Sequence, residues 1–560
     1  MSKGRLVFAL LLTISIGAAI VGRLFLVQII KGDYYKALAM GQQKSFSSIP
    51  AKRGEIFFRG GEELATNQII NSAYLVPNEV KNKAETAQML AEVLDLKEES
   101  VKEKLAKDSL YELLKNKLTP QEIEKLTRLN ITGVYLGQEL LRFYPQGDLC
   151  SQTIGFVDKD HQGQYGLEGF WQKTLGEREG TLEEEKGLGN LTIFSLSKEE
   201  AQNGSDLVLT LDYQIQFMAE KLLKDAKTKL AFDSATIIVI DPTSGEILAL
   251  ANDPGFDPNH YGEEKNLANF QNSAIQKLFE PGSVFKPITM ASAIQENKIT
   301  PQTTYIDKGV VKIGNTPIYN YANRTYGENT MTQVLEKSIN TGAVWAFQQL
   351  GSELFLKYLE KFDLFEKTGV DLQGEVFSQN LEFKKGYDIN FATASFGQGI
   401  DITPIQLVKA FSAIANGGKM VKPHLVKEII DENGNAKEIL PEISSNIISQ
   451  KTSSEVVTMM MSVVDNGYGK RAKIPGYFIA GKTGTAQVSW PSLGIQKAGY
   501  SDKTIQSFIG FAPALNPKFL ILVKLDNPNE KTAEYSAVPI FHDLARYIID
   551  LKQIPPDYEP

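Results

Sequence analysis

Glu280-Pro281-Gly282-Ser283-Val284-Phe285-Lys286 joins a polar, glycine-bearing lead-in to an apolar run, 288–294, that reads as a buried helix. If Ser283 opens that helix, Ser283 and Lys286 lie three residues apart on one face. A hydroxyl and an amine would then stand at hydrogen-bonding range, walled in by core. Pro287 fits a helix start, because its missing N–H deprives the Ser283 carbonyl of an i+4 partner, which only an opening turn tolerates. Ser283 is thus a candidate nucleophile and Lys286 its base. The competing reading is a surface Ser and Lys on an ordinary helix, since so short a pattern arises by chance.

Two further stretches bear on that choice. Thr330-Met331-Thr332-Gln333 fits a capping box that starts a short helix running into Ser338-Ile339-Asn340, and a second helix follows over 341–351. Ser338 and Asn340, two apart in the loop, offer a hydroxyl that relays a proton and an amide that binds a carbonyl. Alone, they would equally serve a helix-capping loop. The third stretch, Ala480-Gly481-Lys482-Thr483-Gly484-Thr485, lies in strand text over 478–488. Alternation places the Thr483 and Thr485 hydroxyls on one face. Gly481 and Gly484 leave room for a ligand backbone to pair as an added strand. Lys482 starts from the opposite face, so its stem must carry the ammonium round beneath the site. The letters also fit a phosphate loop from Gly476, but strand text continues on both sides where such a loop would open a helix.

Around these stretches a domain runs from Asp206. A helix over 214–230 precedes two strands, 235–240 and 246–251, joined by a turn short enough for an antiparallel hairpin. The middle is helical. Strands at 478–488, 507–511 and 519–525 follow, then a closing helix, 539–551, with Ile540, Leu544, Ile548 and Leu551 on one face. This order predicts an α+β domain: one antiparallel sheet covered by helices, with a helical insertion between its halves. Residues 554–560 read as a disordered tail. Upstream, 31–205 mixes strand text with Glu/Lys/Leu-rich helices near 80–136, including 85–94 and 120–129. Strand text returns at 142–145 and 154–157, a short helix opens at Gly166, and 176–205 reads as a linker or ribbon.

Residues 6–30 are apolar apart from glycines, Thr13, Ser15, Arg23 and Gln28, long enough to span a bilayer. A cleaved signal peptide is the alternative, but the apolar run continues past the small residues Gly17-Ala18-Ala19. An amino terminus inside, residues 1–5 forming a short cytoplasmic tail, places the rest outside the membrane. The chain's 67 acidic and 59 basic side chains argue against nucleic acid. Its four scattered His and single Cys150 offer neither a Ser-His-Asp set nor a metal site nor an intrachain disulfide.

Ser283-x-x-Lys286, Ser338-x-Asn340 and Lys482-Thr483-Gly484, in that order and separated by 55 and 144 residues, resemble the three motifs of penicillin-binding proteins and serine β-lactamases. Arg53-Gly54-Glu55-Ile56, Arg142 with Tyr144-Pro145, Gly166-Leu167-Glu168 and Ser395-Phe396-Gly397-Gln398-Gly399 with Thr403-Pro404 resemble class B penicillin-binding proteins. Phe57-Phe58-Arg59-Gly60-Gly61 departs from the family's Asp-Arg-Asn-Gly. The resemblance implies the transpeptidase fold over 206–553, set on an amino-terminal pedestal or dimerisation module. It implies peptidoglycan D,D-transpeptidation and covalent binding of β-lactams, without cofactor or metal. Ser283 would be the nucleophile, Lys286 the base, and Ser338 the proton relay, with the Ser283 and Thr485 N–H groups as oxyanion hole. Lys482 would be catalytic too, its charge helping burial to keep Lys286 neutral; Thr483, Gly484 and Thr485, with Lys482 behind, would bind the substrate's carboxylate side and Asn340 its amide. Peptidoglycan stem peptides, β-lactams and a SEDS-family membrane polymerase are the implied partners, with threonine at 483 resembling the cell-division branch rather than elongation. The alternatives are a D,D-carboxypeptidase or β-lactamase, with water as acceptor, and a β-lactam sensor or scaffold without transpeptidation.

Overall fold

In a computed structural model of the chain, residues 44–49, 51–109, 111–178, 180–186, 192–199, 201–497 and 499–559, together with Gly17, are described. The predicted membrane span, 6–30, lies outside these apart from Gly17. Among the described residues no helix is long and apolar enough to cross a membrane. The chain divides into two compact units. The smaller, Met1–Arg53 with Glu177–Gly204, contains an antiparallel three-stranded sheet of Lys44–Ile49, Gly180–Lys186 and Thr192–Glu199. The ribbon reading of 176–205 therefore corresponds to two paired strands.

The larger unit, Gly54–Gly176 with Ser205–Pro560, is built on a five-stranded antiparallel sheet. Its order is Ile247–Asp253, Ser234–Ile240, Phe519–Asp526, Tyr500–Ala512 and, at the edge, Ala480–Ser489. Alternation sorts each strand between two cores. Ile237, Val239, Phe508, Ile521 and Val523 pack under the helices Tyr213–Leu230 and Ala537–Leu551. Ile238, Ile240, Ile509, Leu520 and Leu522 face the opposite core, which includes the helices Lys286–Gln295 and Pro404–Ala415. Both faces are covered, which is why these strands read as continuous apolar runs rather than alternating ones.

A second sheet carries the amino-terminal segment. It orders Ala436–Glu438, Val426–Ile430, Asp206–Leu209, Ile56–Phe57, Glu63–Leu75 and Glu112–Lys115, with Val134–Phe143 also paired to Glu63–Leu75. Asp206–Leu209 pairs with Ile56–Phe57 on one side and Val426–Ile430 on the other, so hydrogen bonding runs unbroken across the boundary drawn at 206. The helices Lys83–Leu94, Glu98–Ala106 and Pro120–Leu129 close a separate small core around Leu90, Leu94, Leu105 and Leu126. The quoted motif residues meet beside the second sheet: buried Arg142 donates from Nε to buried Glu168 Oε1 at 2.7 Å, and the Tyr144 hydroxyl reaches the same oxygen at 3.4 Å. At the departure from the family pattern, Phe58 is buried edge-on against Tyr213 at 5.3 Å and Arg59 pairs with Glu246 at 2.9 Å.

Several local readings are corrected. The strand before Ala512 begins at Tyr500, not 507. Ser151–Ile154 is a helical turn, so strand text starts only at Phe156. The tail is docked rather than disordered: Asp557 N donates to Gly476 O at 2.8 Å, Tyr477 Oη to Ile554 O at 2.6 Å, and the Phe478 and Tyr558 rings lie 5.0 Å apart. Pro555 and Pro556 donate no N–H, but the residues around them supply the bonds that hold the segment.

Candidate active site

Ser283 lies in a 3-10 turn, Gly282–Phe285, and the α-helix begins only at Lys286. Pro287 explains the difference. With its N–H missing, the Ser283 carbonyl takes the i+3 donor instead, the Lys286 N–H. The turn is clamped from behind: Gly282 N donates to Gly397 O at 2.8 Å, and a Cβ on Gly397 would stand 2.1 Å from Gly282 O. Gly397 also has φ +80°, so glycine is required there on both counts. From Pro281 to Ile294, Ser283 alone is partly open to solvent.

The second motif arrives through a helix stop. The helix Met331–Glu336 has the predicted capping box, Thr330 with Gln333. It ends as Ser338 takes φ +54°, with Ser338 N bonded to Leu335 O and Ile339 N to Val334 O. That is a Schellman closure, whose left-handed position usually holds glycine. Here it holds serine, and the turn places both the Ser338 carbonyl and its hydroxyl on Lys286. Lys286 Nζ donates to Ser338 O at 2.6 Å and to Asn340 Oδ1 at 2.8 Å, and lies 3.3 Å from Ser338 Oγ. Among the described residues, no hydrogen bond joins Ser283 Oγ to Lys286. The amine is committed to the 338–340 loop, and catalytic contacts of this kind tighten only with substrate bound.

Lys482 reaches the same hydroxyl from the edge strand. Its Nζ lies 3.0 Å from Ser338 Oγ, 2.9 Å from Thr483 O and 3.3 Å from Thr483 Oγ1. It needs no detour round the strand. Lys482 shares its face with Gly484 and Ala486, and this face packs on the Ser283 turn: a Cβ on Gly484 would meet Val284 Cγ1 at 2.9 Å and Pro281 O at 3.2 Å. The glycines serve packing rather than clearing room for a ligand, since a Cβ on Gly481 would strike the Phe508 ring at 2.3 Å. Thr485, on the alternate face, accepts from Ala533 N at 3.3 Å. The strand's outer edge has no partner in its sheet.

Half-buried Ser283, Ser338 and Asn340 thus accompany two lysines, both fully buried, with half-buried Thr485 on the alternate face of the edge strand. Burial, then the neighbouring Lys482 charge, holds the Lys286 amine well below the ordinary lysine range. Burial alone draws Lys482 down to about 7. Burial and the like charge both disfavour the Lys286 ammonium, which favours a neutral amine there.

Sequence reasoning missed the surrounding carboxylates. Glu280 accepts from the Tyr500 hydroxyl at 3.0 Å, and burial, with a smaller contribution from Asp401, pushes it up to about 7. Asp307 and Asn320 stand behind Thr341. These partners lie 13 to 220 positions apart in the chain, and their side chains read individually as solvated loop residues.

The penicillin binding protein transpeptidase domain matches residues 235–546, and the penicillin-binding protein dimerisation domain matches 48–209. The chain belongs to the penicillin-binding protein transpeptidase family. Stage V sporulation protein D of Bacillus subtilis is 32% identical over 97% of this chain and 85% of its own. A peptidoglycan D,D-transpeptidase FtsI homolog of Mesostigma viride is 30% identical over 99% of this chain and 96% of its own. In structure, the chain is similar to penicillin binding protein 3 of Mycobacterium tuberculosis complexed with aztreonam, with TM-score 0.70, 27% identity, and 91% of this chain and 98% of that one covered.

Proposed function

We propose that this chain is a serine-type peptidoglycan D,D-transpeptidase that β-lactams acylate. The observation that carries the reading is the shared hydroxyl: Lys286 and Lys482, both buried, approach Ser338 Oγ from separate motifs at 3.3 and 3.0 Å, with Ser283 half-buried one turn before Lys286. A lysine kept neutral by burial and a like charge is a base at neutral pH.

Lys286 takes the Ser283 proton as Oγ attacks the carbonyl between the two terminal D-alanines of a stem peptide. The Ser283 and Thr485 N–H groups receive the oxyanion. The peptide C–N bond breaks, an ester to Ser283 forms, and Ser338 passes a proton to the departing D-alanine amine. Thr483 and Thr485, with Lys482, hold the terminal carboxylate, and Asn340 the donor peptide's amide. The unpaired edge of the Lys482 strand suits an extended peptide backbone. An amine of a second stem peptide then attacks the ester: the amide of the cross-link forms, the bond to Ser283 Oγ breaks, and the proton the amine gives up passes by way of Lys286 to Ser283 Oγ. A β-lactam stops after acylation because its opened ring stays attached.

The apolar composition of 6–30 supports a single-pass anchor in the cell membrane, amino terminus cytoplasmic, with the pedestal module, 31–205, and the transpeptidase domain, 206–553, outside. Thr483 supports the division branch, where a SEDS-family polymerase is the fitting membrane partner.

Labelling the full-length chain with a fluorescent penicillin tests acyl transfer. A covalent adduct lost in Ser283→Ala is expected; an adduct that survives that substitution, or none at all, sinks the reading. With a stem-peptide donor and an amine acceptor, a cross-linked dimer is expected, and free D-alanine alone would make the enzyme a carboxypeptidase.

A further inference from the structure

The helix Asn340–Leu350 starts without a cap of its own. Its N-cap residue is Ile339, which has no side-chain acceptor, although the first N–H groups of a helix need partners. The acceptor comes from a distant segment: Asn320 Oδ1 accepts from Thr341 N at 3.1 Å. That amide is itself held, because Asn320 Nδ2 donates to Asp307 Oδ2 at 2.9 Å and to Arg324 O at 3.0 Å. Asp307 further accepts from the Thr341 hydroxyl at 2.6 Å and from the N–H groups of Gly309 and Tyr326 at 2.9 and 2.7 Å. Burial works against its charge, but these donors, Thr341 first, outweigh it and keep the carboxyl below the usual carboxylate range.

Asp307, Asn320 and Thr341 are 2%, 4% and 4% exposed, so this is a fully satisfied polar cluster inside the fold. Apolar packing of the same volume would often stabilise the fold as well or better. What the cluster specifies is the residue next to Thr341. Asn340 Oδ1 accepts from Lys286 at 2.8 Å, while Asn340 Nδ2 donates to Tyr319 O, immediately before Asn320, at 3.1 Å. The segment 319–320 therefore grips the helix start on both sides of the Lys286 contact.

We propose that Asp307, Asn320 and Thr341 are positioning residues for acylation: they hold Asn340 and the Ser338 carbonyl against the Lys286 amine in the geometry that proton removal from Ser283 requires. This rests on the acyl-transfer reading above. A displacement of an ångström at such a contact costs up to about a hundredfold in rate.

The test compares the full-length chain with Asn320→Leu, which keeps the volume and loses both amide functions, and with Thr341→Val, a milder change should the first not fold. Acylation by a fluorescent penicillin is followed against pH. Both variants are expected to acylate about tenfold to a hundredfold more slowly. Their acid limb should move to lower pH, because loosened Asn340 and Ser338 acceptors no longer favour the Lys286 ammonium. Thr341→Ser, which keeps the hydroxyl, should restore rate and profile. A folded variant that acylates at the unsubstituted rate, or a slower one whose acid limb stays in place, overturns the proposal. NMR titration of the Lys286 side chain reads the same shift without turnover. An unchanged titration in Asn320→Leu refutes the positioning role, whereas an absent penicillin adduct in the unsubstituted chain counts against acyl transfer alone.

Discussion

Replacing Lys482 by glutamine should move the acid limb of Ser283 acylation to higher pH. The two lysine nitrogens lie 3.3 and 3.0 Å from one oxygen, Ser338 Oγ, so they are at most 6.3 Å apart. At an effective dielectric of about 20, two unit charges at that separation repel by at least about 2.6 kcal/mol. That corresponds to about two pH units. Lys482 is drawn down to about 7, so it carries its charge below that pH. Glutamine keeps a polar end near Ser338 and Thr483 but carries no charge. Lys286 then holds its proton to higher pH, and less free amine is present at any pH on the limb. Burial, the larger cause of the Lys286 displacement, is untouched, so the limb moves by about two pH units and does not reach the ordinary lysine range. Rapid mixing with a fluorescent penicillin across the acid-to-basic range measures it. A limb that stays at its unsubstituted position would refute the coupling and leave burial as the sole cause of the free base. A limb that moves to lower pH would reverse the sign of the argument.

Gly484→Ala should push the Ser283 turn off the edge strand, since the new Cβ meets Ser507 Oγ at 2.5 Å and Val284 Cγ1 at 2.9 Å. A stability loss of about 1–3 kcal/mol with slowed acylation is expected in denaturation and labelling, and unchanged acylation would show that the turn absorbs the methyl. Glu168→Ala leaves the Arg142 guanidinium buried beside an empty acceptor and should destabilise the larger unit by about 3–5 kcal/mol in chemical denaturation. A loss under 1 kcal/mol would mean that Arg142 finds water. Cys150 is 2% exposed, and burial, with a smaller contribution from Glu220, pushes its thiol up. A thiol reagent should therefore label it only as the protein unfolds, and rapid labelling of the native chain would contradict its burial.

What was legible in the chain was local. The capping box at Thr330 and Gln333, the hairpin of Ser234–Ile240 with Ile247–Asp253, and the closing helix follow from propensity and period within a few residues. One departure was a local backbone effect and another a long-range one. Pro287 shortened the helix and left Ser283 in a 3-10 turn, and aromatic and backbone partners at 476–478 docked a proline-bearing tail. The side of the Lys482 strand that faces Ser283 was not readable, because period two says which residues share a face and not which face meets the nucleophile.

By itself the sequence determined the inventory: a serine, a lysine, a second serine, an asparagine and a second lysine, in that order. Only the tertiary structure decided that both amines converge on the Ser338 hydroxyl, and that Asn320, braced by the Asp307 carboxylate, caps the helix start that follows it. The physical reason is that a base strength is not a property of a residue. It depends on burial and on the nearest charge, and for Lys286 the nearest charge arrives from a strand 196 positions along the chain.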